Sequence, residues 1–364
     1  MRRIDARKAL KRSAGILIFL LVFNNLVLPQ LGGARRAIDL LSQVNPLPLV
    51  LALGLELSAF VAYTKLTRST LPRDAPIRSL TLLRIQLATK SVTNLVPGGS
   101  AAGGALGFRL LTTAGVAPSA AGFTLATVGL GSAVVLNLML WLALLVSIPV
   151  NGFDPKYGAA ALVGFLLLGG FAGLVVLLRH GSQGAERVIR AIARPLPLVN
   201  EDAAARVVRQ IAGRVGELLD DPALLRRSVG WAVAFWLLDA SSLWVFIRAF
   251  GSTVGPLELI VAFGLAQVLG AIPITPGGLG VIELALTSAL VGFGLNRGTA
   301  AIAVTTYRLA AFWLPIPLGA IAYGSLKVGP GSLRRIRQRH PIRTLTEDTA
   351  DVAGVRKWDV DHSG

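Results

Sequence analysis

The sequence predicts an all-α, polytopic membrane helical bundle of about eight long spans plus two short broken or re-entrant segments, arranged as an inverted repeat. Three observations predict it. Of 364 residues, 53% are hydrophobic and 15% charged, with a mean hydropathy of +0.65. Several apolar runs approach the roughly 20 residues that carry a helix across a bilayer. Two Pro-Gly-Gly breaks, Asn94-Leu95-Val96-Pro97-Gly98-Gly99 and Pro273-Ile274-Thr275-Pro276-Gly277-Gly278, interrupt such runs at a shift of 179 residues. Inside a membrane, broken backbone needs partners from protein or a water-lined cavity, so a matched pair of breaks points to a transport site.

Taken in order, the long runs are 13–31, 46–66, 79–96, 118–148, 157–178, 228–250, 256–275 and 299–326, and the shorter glycine-rich pieces are 97–117 and 276–296. The first run follows six basic residues within positions 1–12 and lacks a small-residue cleavage site after Gln30, so it is expected to be an uncleaved span rather than a signal peptide. Nine arginines lie between Arg179 and Arg227, and eight Lys or Arg follow residue 326. Positive-inside bias therefore places all three basic regions in the cytoplasm, at a multi-pass cell membrane, and requires even numbers of crossings between them. If 97–117 and 276–296 both cross, the count is even and the breaks lie toward opposite faces. If both pieces re-enter, the nine-arginine loop faces outward.

The chain thus divides into a basic N-terminus (1–12), a first membrane half (13–178), a cytoplasmic loop (179–227), a second membrane half (228–326) and a basic, partly disordered tail (327–364). Within the loop, Ile, Val and Leu recur at helical spacing between arginines, which fits surface helices on anionic lipid and equally a solvated connector. A net charge of +17 raises nucleic acid as a partner, but the basic residues sit at chain ends and in loops without interleaved aromatics, so none is expected. There is no cysteine, and His180, His340 and His362 lie apart in polar flanks, so neither a metal nor another cofactor is expected.

Sliding the halves by 179 places Pro97, Gly98 and Gly99 on Pro276, Gly277 and Gly278, and Gly115 on Gly294. Proline ends an incoming helix, and glycines reach left-handed torsions and admit close neighbours. A helix starting after such a break points free N–H groups at it, an arrangement that suits an anionic head group. The alternative is a tight membrane turn, with Gly103, Gly104, Gly107 and Gly280 serving helix packing.

Ionisable residues inside apolar runs are costly and face protein or water. They are Glu56, Arg84, Lys90, Arg109, Asp239, Glu283 and Arg308. Glu283 and Arg308 are expected to pair, with a lipid phosphate competing for the guanidinium; the bland alternative is a static salt bridge. Arg109, with Arg84 and Lys90, brackets the first break and adds positive charge. Glu56 and Asp239 are candidates for a proton or ion relay, or for helix-to-helix hydrogen bonds. No G-x-S-x-G, P-loop, H-E-x-x-H or dinucleotide motif occurs, so no catalytic residue is assigned and no enzyme activity is expected.

The segments NLVPGGSAAGGALGFRLL, PITPGGLGVIE and YRLAAFWLPIPLGAIAY resemble the transmembrane region of lysylphosphatidylglycerol synthase, also described as a flippase-like domain family, over about residues 10 to 328. Its most specific part is Pro276 to Glu283, followed by an arginine in the last span, here Arg308; the first motif matches through Asn94, Pro97, Gly98 and Gly99. Full-length synthases join this region to a cytosolic domain that aminoacylates phosphatidylglycerol, for which residues 1–364 leave no room. The resemblance implies a flippase-like protein whose cargo is an anionic or modified phospholipid or a polyprenyl-phosphate-linked lipid. The residues expected to bind it are Arg308, Glu283, Pro276, Gly277, Gly278, Gly280 and the first break with Arg109. Two other readings stand beside it. One is a non-catalytic scaffold or accessory subunit docking envelope-lipid biosynthesis proteins through residues 179–227; the other is a membrane-embedded transferase using a lipid-linked donor.

Overall fold

A computed structural model describes residues 46–96, 99–151, 221–271 and 275–328, together with positions 169 and 333. The expected spans 13–31 and 157–178, most of the loop and nearly all of the tail lie outside the described residues. Within them every regular element is helical: α1 (Pro46–Thr70), α2 (Ser79–Leu95), α3 (Gly99–Thr113), α4 (Pro118–Asn151), α5 (Pro222–Ala249), α6 (Pro256–Gly270), α7 (Val281–Gly292), α8 (Arg297–Arg308) and α9 (Pro315–Lys327). A short turn, Pro276–Gly278, joins α6 to α7, and a π turn, Leu309–Trp313, runs from α8 into α9.

Local chemistry explains most of the boundaries. Proline at the first turn of α5 and α6 gives up an N–H that has no intrahelical acceptor there. Asp221 caps α5 by accepting from Ala223 and Leu224, each at 3.0 Å, so this helix starts six residues before its apolar run. Asn296 caps α8 through Gly298 at 2.8 Å.

Among the described residues four stretches are long and apolar enough to cross a bilayer: Pro46–Thr70, Pro118–Ser147, Pro222–Ala249 and Arg297–Lys327. Their outward faces carry Leu47, Val50, Leu142, Leu145 and Ile321, all exposed, while Glu56, Asp239 and Arg308 are buried. Apolar residues outside and charges inside are what a lipid solvent imposes.

The remaining helices are short. With 17, 15, 15 and 12 residues, α2, α3, α6 and α7 run roughly 18 to 26 Å at 1.5 Å per residue, against about 30 Å of hydrocarbon. They form two hairpins, α2 with α3 and α6 with α7. In the first, Gly99 and Gly103 lie against Thr93 and Gly107 beside Thr89. Both threonine hydroxyls return to carbonyls of their own helix, at 3.0 and 2.8 Å, so no polar donor is stranded at the contact. The turn Pro276–Gly278 touches both α2 and α3. The breaks therefore come together in the molecule, where charge counting expected them toward opposite faces. These short helices end where Pro and Gly interrupt them, and Gly277 lies against Asn94 at the end of α2.

The shift of 179 extends beyond the breaks. α1 ends at Thr70 and α5 at Ala249; α3 ends at Thr113 and α7 at Gly292; α4 begins at Pro118 and α8 at Arg297. Gly115 and Gly294 both adopt left-handed torsions, φ +97° and +95°. After each, the same bond closes the helix end, Val116 N–H to Leu111 carbonyl and Leu295 N–H to Leu290 carbonyl, both 3.1 Å. α1 and α5, which occupy equivalent places, pack against each other.

Two main apolar clusters hold these parts. Leu243, Ile247, Phe263, Leu286 and Tyr307 fill the space between α5, α6, α7 and α8, and Leu82, Ile85, Leu110 and Leu111 seal α2 to α3. α9 lies on α2 through Gly319, whose added Cβ would strike the Leu87 carbonyl and lie 2.5 Å from Ser91 Cβ. Backbone at such a contact cannot yield as a flexible side chain can. Gly319→Ala is expected to separate the helices at a cost of about 1–3 kcal/mol, seen as a lower thermal midpoint in detergent; an unchanged midpoint would refute the close packing.

Candidate functional site

The turn at the second break is built by three left-handed glycines, Gly277 (φ +55°), Gly278 (φ +71°) and Gly280 (φ +82°). Each torsion is costly for a residue with a Cβ. Space is as restrictive: a Cβ on Gly277 would lie 2.5 Å from the Phe312 ring and 3.2 Å from Asn94 Oδ1, and one on Gly278 would lie 2.8 Å from Ile282 Cδ1. Pro276 is buried beside them.

Glu283 stands in the first turn of α7 and uses its two oxygens differently. Oε2 accepts from the Gly280 N–H at 2.6 Å, holding the helix start to the turn. Oε1 accepts from Arg308 Nε at 2.7 Å. Arg308 Nη2 also donates to the Gly277 carbonyl at 3.3 Å, and its guanidinium carbon lies 4.6 Å from the centre of the Phe312 ring. Only 6% of Arg308 is exposed. Of its five N–H donors two are engaged by described residues, leaving three for a ligand or water.

Arg308 owes its place to the irregular helix around it. The π turn begins one residue later, and Pro315 and Pro317 withdraw two backbone donors just beyond it. The Phe312 carbonyl is instead taken by Asn94 Nδ2 at 2.8 Å, and that of Ile316 by Ser91 Oγ at 3.0 Å. Asn94, the residue that opens the first motif, thus closes on the second. Gly99 begins α3 next to it, and Pro97 and Gly98 lie outside the described residues.

A second polar group lies deeper among α1, α2, α5 and α8. Tyr307 Oη donates to Asp239 Oδ1 at 2.6 Å, with both residues buried. Glu56 is 4% exposed, and its Oε2 has no hydrogen-bond partner. Lys90 is exposed, yet it is surrounded closely enough for Asp239, Glu56 and Arg308 all to act on its charge.

The structure therefore joins Arg308, Glu283, Gly277, Gly278, Gly280, Pro276 and Asn94, and gathers Glu56 and Asp239 with Lys90 near them. It does not bring Arg109 there. Arg109 is exposed ten residues into α3, roughly 15 Å along the axis from the turn, and its carbonyl accepts from the Thr112 and Thr113 hydroxyls. Flanking the break in sequence does not place a residue at it, because the helix carries it away. Arg84 is also turned elsewhere, with Nε 2.9 Å from Ser325 Oγ. Sequence reasoning missed Phe312 and Tyr307; the signal for Phe312 was the Pro315 and Pro317 pair, which announces an irregular helix beside Arg308. Among the described residues no group of acidic or histidine side chains has the spacing to hold a metal ion.

With this geometry in view, the likeness to other proteins is specific in family and limited in extent. A family profile described as the lysylphosphatidylglycerol synthase TM region matches residues 12–319. A UPF0104 membrane protein of Methanothermobacter thermautotrophicus is 31% identical over 86 residues, 24% of this chain and 26% of that protein. The inner membrane protein YbhN of Escherichia coli K12 is 25% identical over 99 residues, 27% of this chain and 30% of that protein. The chain thus matches less than a third of the length of either relative.

Proposed function

Because the chain belongs to the lysylphosphatidylglycerol synthase transmembrane-region family, we propose that this helical membrane protein moves a lipid with an anionic or modified head group between leaflets. The cargo class is a phospholipid or a polyprenyl-phosphate-linked lipid. The observation that carries the reading is Arg308, a buried arginine with three uncommitted donors at the point where two broken helices meet. A phosphate offers the guanidinium two parallel charge-assisted bonds, which is what Glu283 and the Gly277 carbonyl supply in its absence. Glu283 in this scheme releases Arg308 to the head group while keeping its bond to Gly280.

The hairpins α2–α3 and α6–α7 are read as inverted halves entering from opposite sides and meeting at the site, an arrangement supported by the elements repeating at a shift of 179. The end of the bundle with Lys65, Arg68, Arg73, Arg78, Arg226 and Arg227 is read as cytoplasmic at the cell membrane. Glu56 and Asp239, beside Lys90, are read as a proton or ion relay; the unpartnered Oε2 of Glu56 supports this role. No bond-making step is assigned to any residue, and the protein is read as a carrier and not an enzyme.

The test is reconstitution of the intact protein into liposomes carrying labelled phosphatidylglycerol, labelled phosphatidylcholine or a labelled polyprenyl phosphate. Accelerated movement of an anionic cargo relative to protein-free liposomes, with phosphatidylcholine slower, is the expected result. Movement of none of the three above background would sink the proposal.

A further inference from the structure

A basic cavity of about 730 Å³ opens where α1 ends and α4 and α5 begin. Its walls are tied together. Ser69 and Ser228 hydroxyls lie 3.0 Å apart and join α1 to α5, and Thr124 Oγ1 donates to the Thr70 carbonyl at 3.2 Å and joins α4 to α1. Four cations line the cavity: Lys65, Arg68, Arg73 and Arg227. Arg68 is spent on the turn itself, donating to the Pro72 and Arg73 carbonyls at 3.0 and 3.2 Å. Lys65, Arg73 and Arg227 are exposed and have no hydrogen bond or ion pair with any described residue. The carboxylate in the lining, Asp221, offsets one of the four positive charges while its Oδ1 caps α5. Four cations against one carboxylate leave a net charge of +3 on the lining of this hollow.

We propose that this cavity binds the phosphate of an anionic phospholipid head group, at a site separate from Arg308. A lipid rather than a free anion is favoured by what adjoins the cations. Trp231 lines the same cavity and is 36% exposed, and the neighbouring Val229 and Leu237 of α5 are exposed as well. A tryptophan between a cationic rim and an apolar flank is the arrangement of a membrane–water boundary, where a head group and its acyl chains are held at once. The inference rests on membrane location alone and does not require translocation.

The experiment follows thermal protection of the purified full chain in detergent as phosphatidylglycerol, phosphatidylcholine or inorganic phosphate is added. Phosphatidylglycerol is expected to protect the wild type. Its affinity should fall on the order of a hundredfold in Lys65→Gln/Arg73→Gln/Arg227→Gln, about a factor of five per cation. Arg78→Gln, an exposed arginine outside the cavity, should leave it unchanged, and Arg73→Lys/Arg227→Lys should retain most of it. Unaltered phosphatidylglycerol affinity in the triple variant, or an equal loss for phosphatidylcholine, overturns the site. Displacement of the lipid by inorganic phosphate at comparable concentration overturns the lipid assignment in favour of a free anion. Because binding is read without transport, this outcome and that of the liposome assay are distinguishable.

Discussion

Arg308→Ala is expected to abolish lipid movement, by about two orders of magnitude or more, and to destabilise the protein by about 3 kcal/mol. The stability figure follows from breaking a buried ion pair at one partner, which leaves a carboxylate without its countercharge. Glu283 is 18% exposed along its side chain, which sets the cost at the lower end of that range. Thermal denaturation in detergent measures this part, and the liposome assay measures the other. The two separate a transport residue from a static bridge. Glu283→Ala combined with Arg308→Ala removes both charges and should recover most of the lost stability, yet it should not recover transport if the arginine binds phosphate. Recovery of both would reduce the pair to scaffolding. Arg308→Lys keeps the charge but loses the planar fork and the stacking on Phe312, so intermediate rates are expected.

Gly277→Ala carries the second large effect. At φ +55° the new Cβ costs about 1–2 kcal/mol in torsion alone, and contact with the Phe312 ring at 2.5 Å adds about 1–3 kcal/mol of overpacking. The same ring stacks on Arg308 and its carbonyl binds Asn94, so displacing it disturbs both halves of the site at once. Transport should be lost together with stability. Gly294 supplies the control: it is also left-handed, at φ +95°, but a Cβ there meets nothing within 4 Å. Gly294→Asn should therefore cost well under half as much, since asparagine tolerates this torsion best among residues with a side chain. Equal losses at the two positions would show that torsion alone, and not the packed turn, makes Gly277 necessary.

Some of the site could be read along the chain because it violates local rules. Arg308 and Glu283 stand out as charges in apolar sequence, and Asn94 and Gly277 stand out within repeated breaks. Phe312 carries no such mark, since a phenylalanine in an apolar helix is ordinary; it matters because a π turn presents its ring to Arg308 and its carbonyl to Asn94, 218 residues away. Arg109 stands apart from the turn for the opposite reason. It is conspicuous and lies near the break in sequence, but an α-helix displaces it by roughly 15 Å.

Membrane class and, among the described residues, the bounds of most helices were legible from the sequence. Each depends on transfer free energy or on a local torsion, and both are properties of short stretches. The meeting of the two breaks, the capture of the Phe312 carbonyl, the gathering of Glu56, Asp239 and Lys90, and the cavity bounded by Lys65, Arg73 and Arg227 were decided only by tertiary packing. Charge counting reports the parity of crossings alone. How deep a helix runs before turning is instead set by contacts through space, where glycine and threonine faces let α2, α3 and the Pro276–Gly278 turn approach one another.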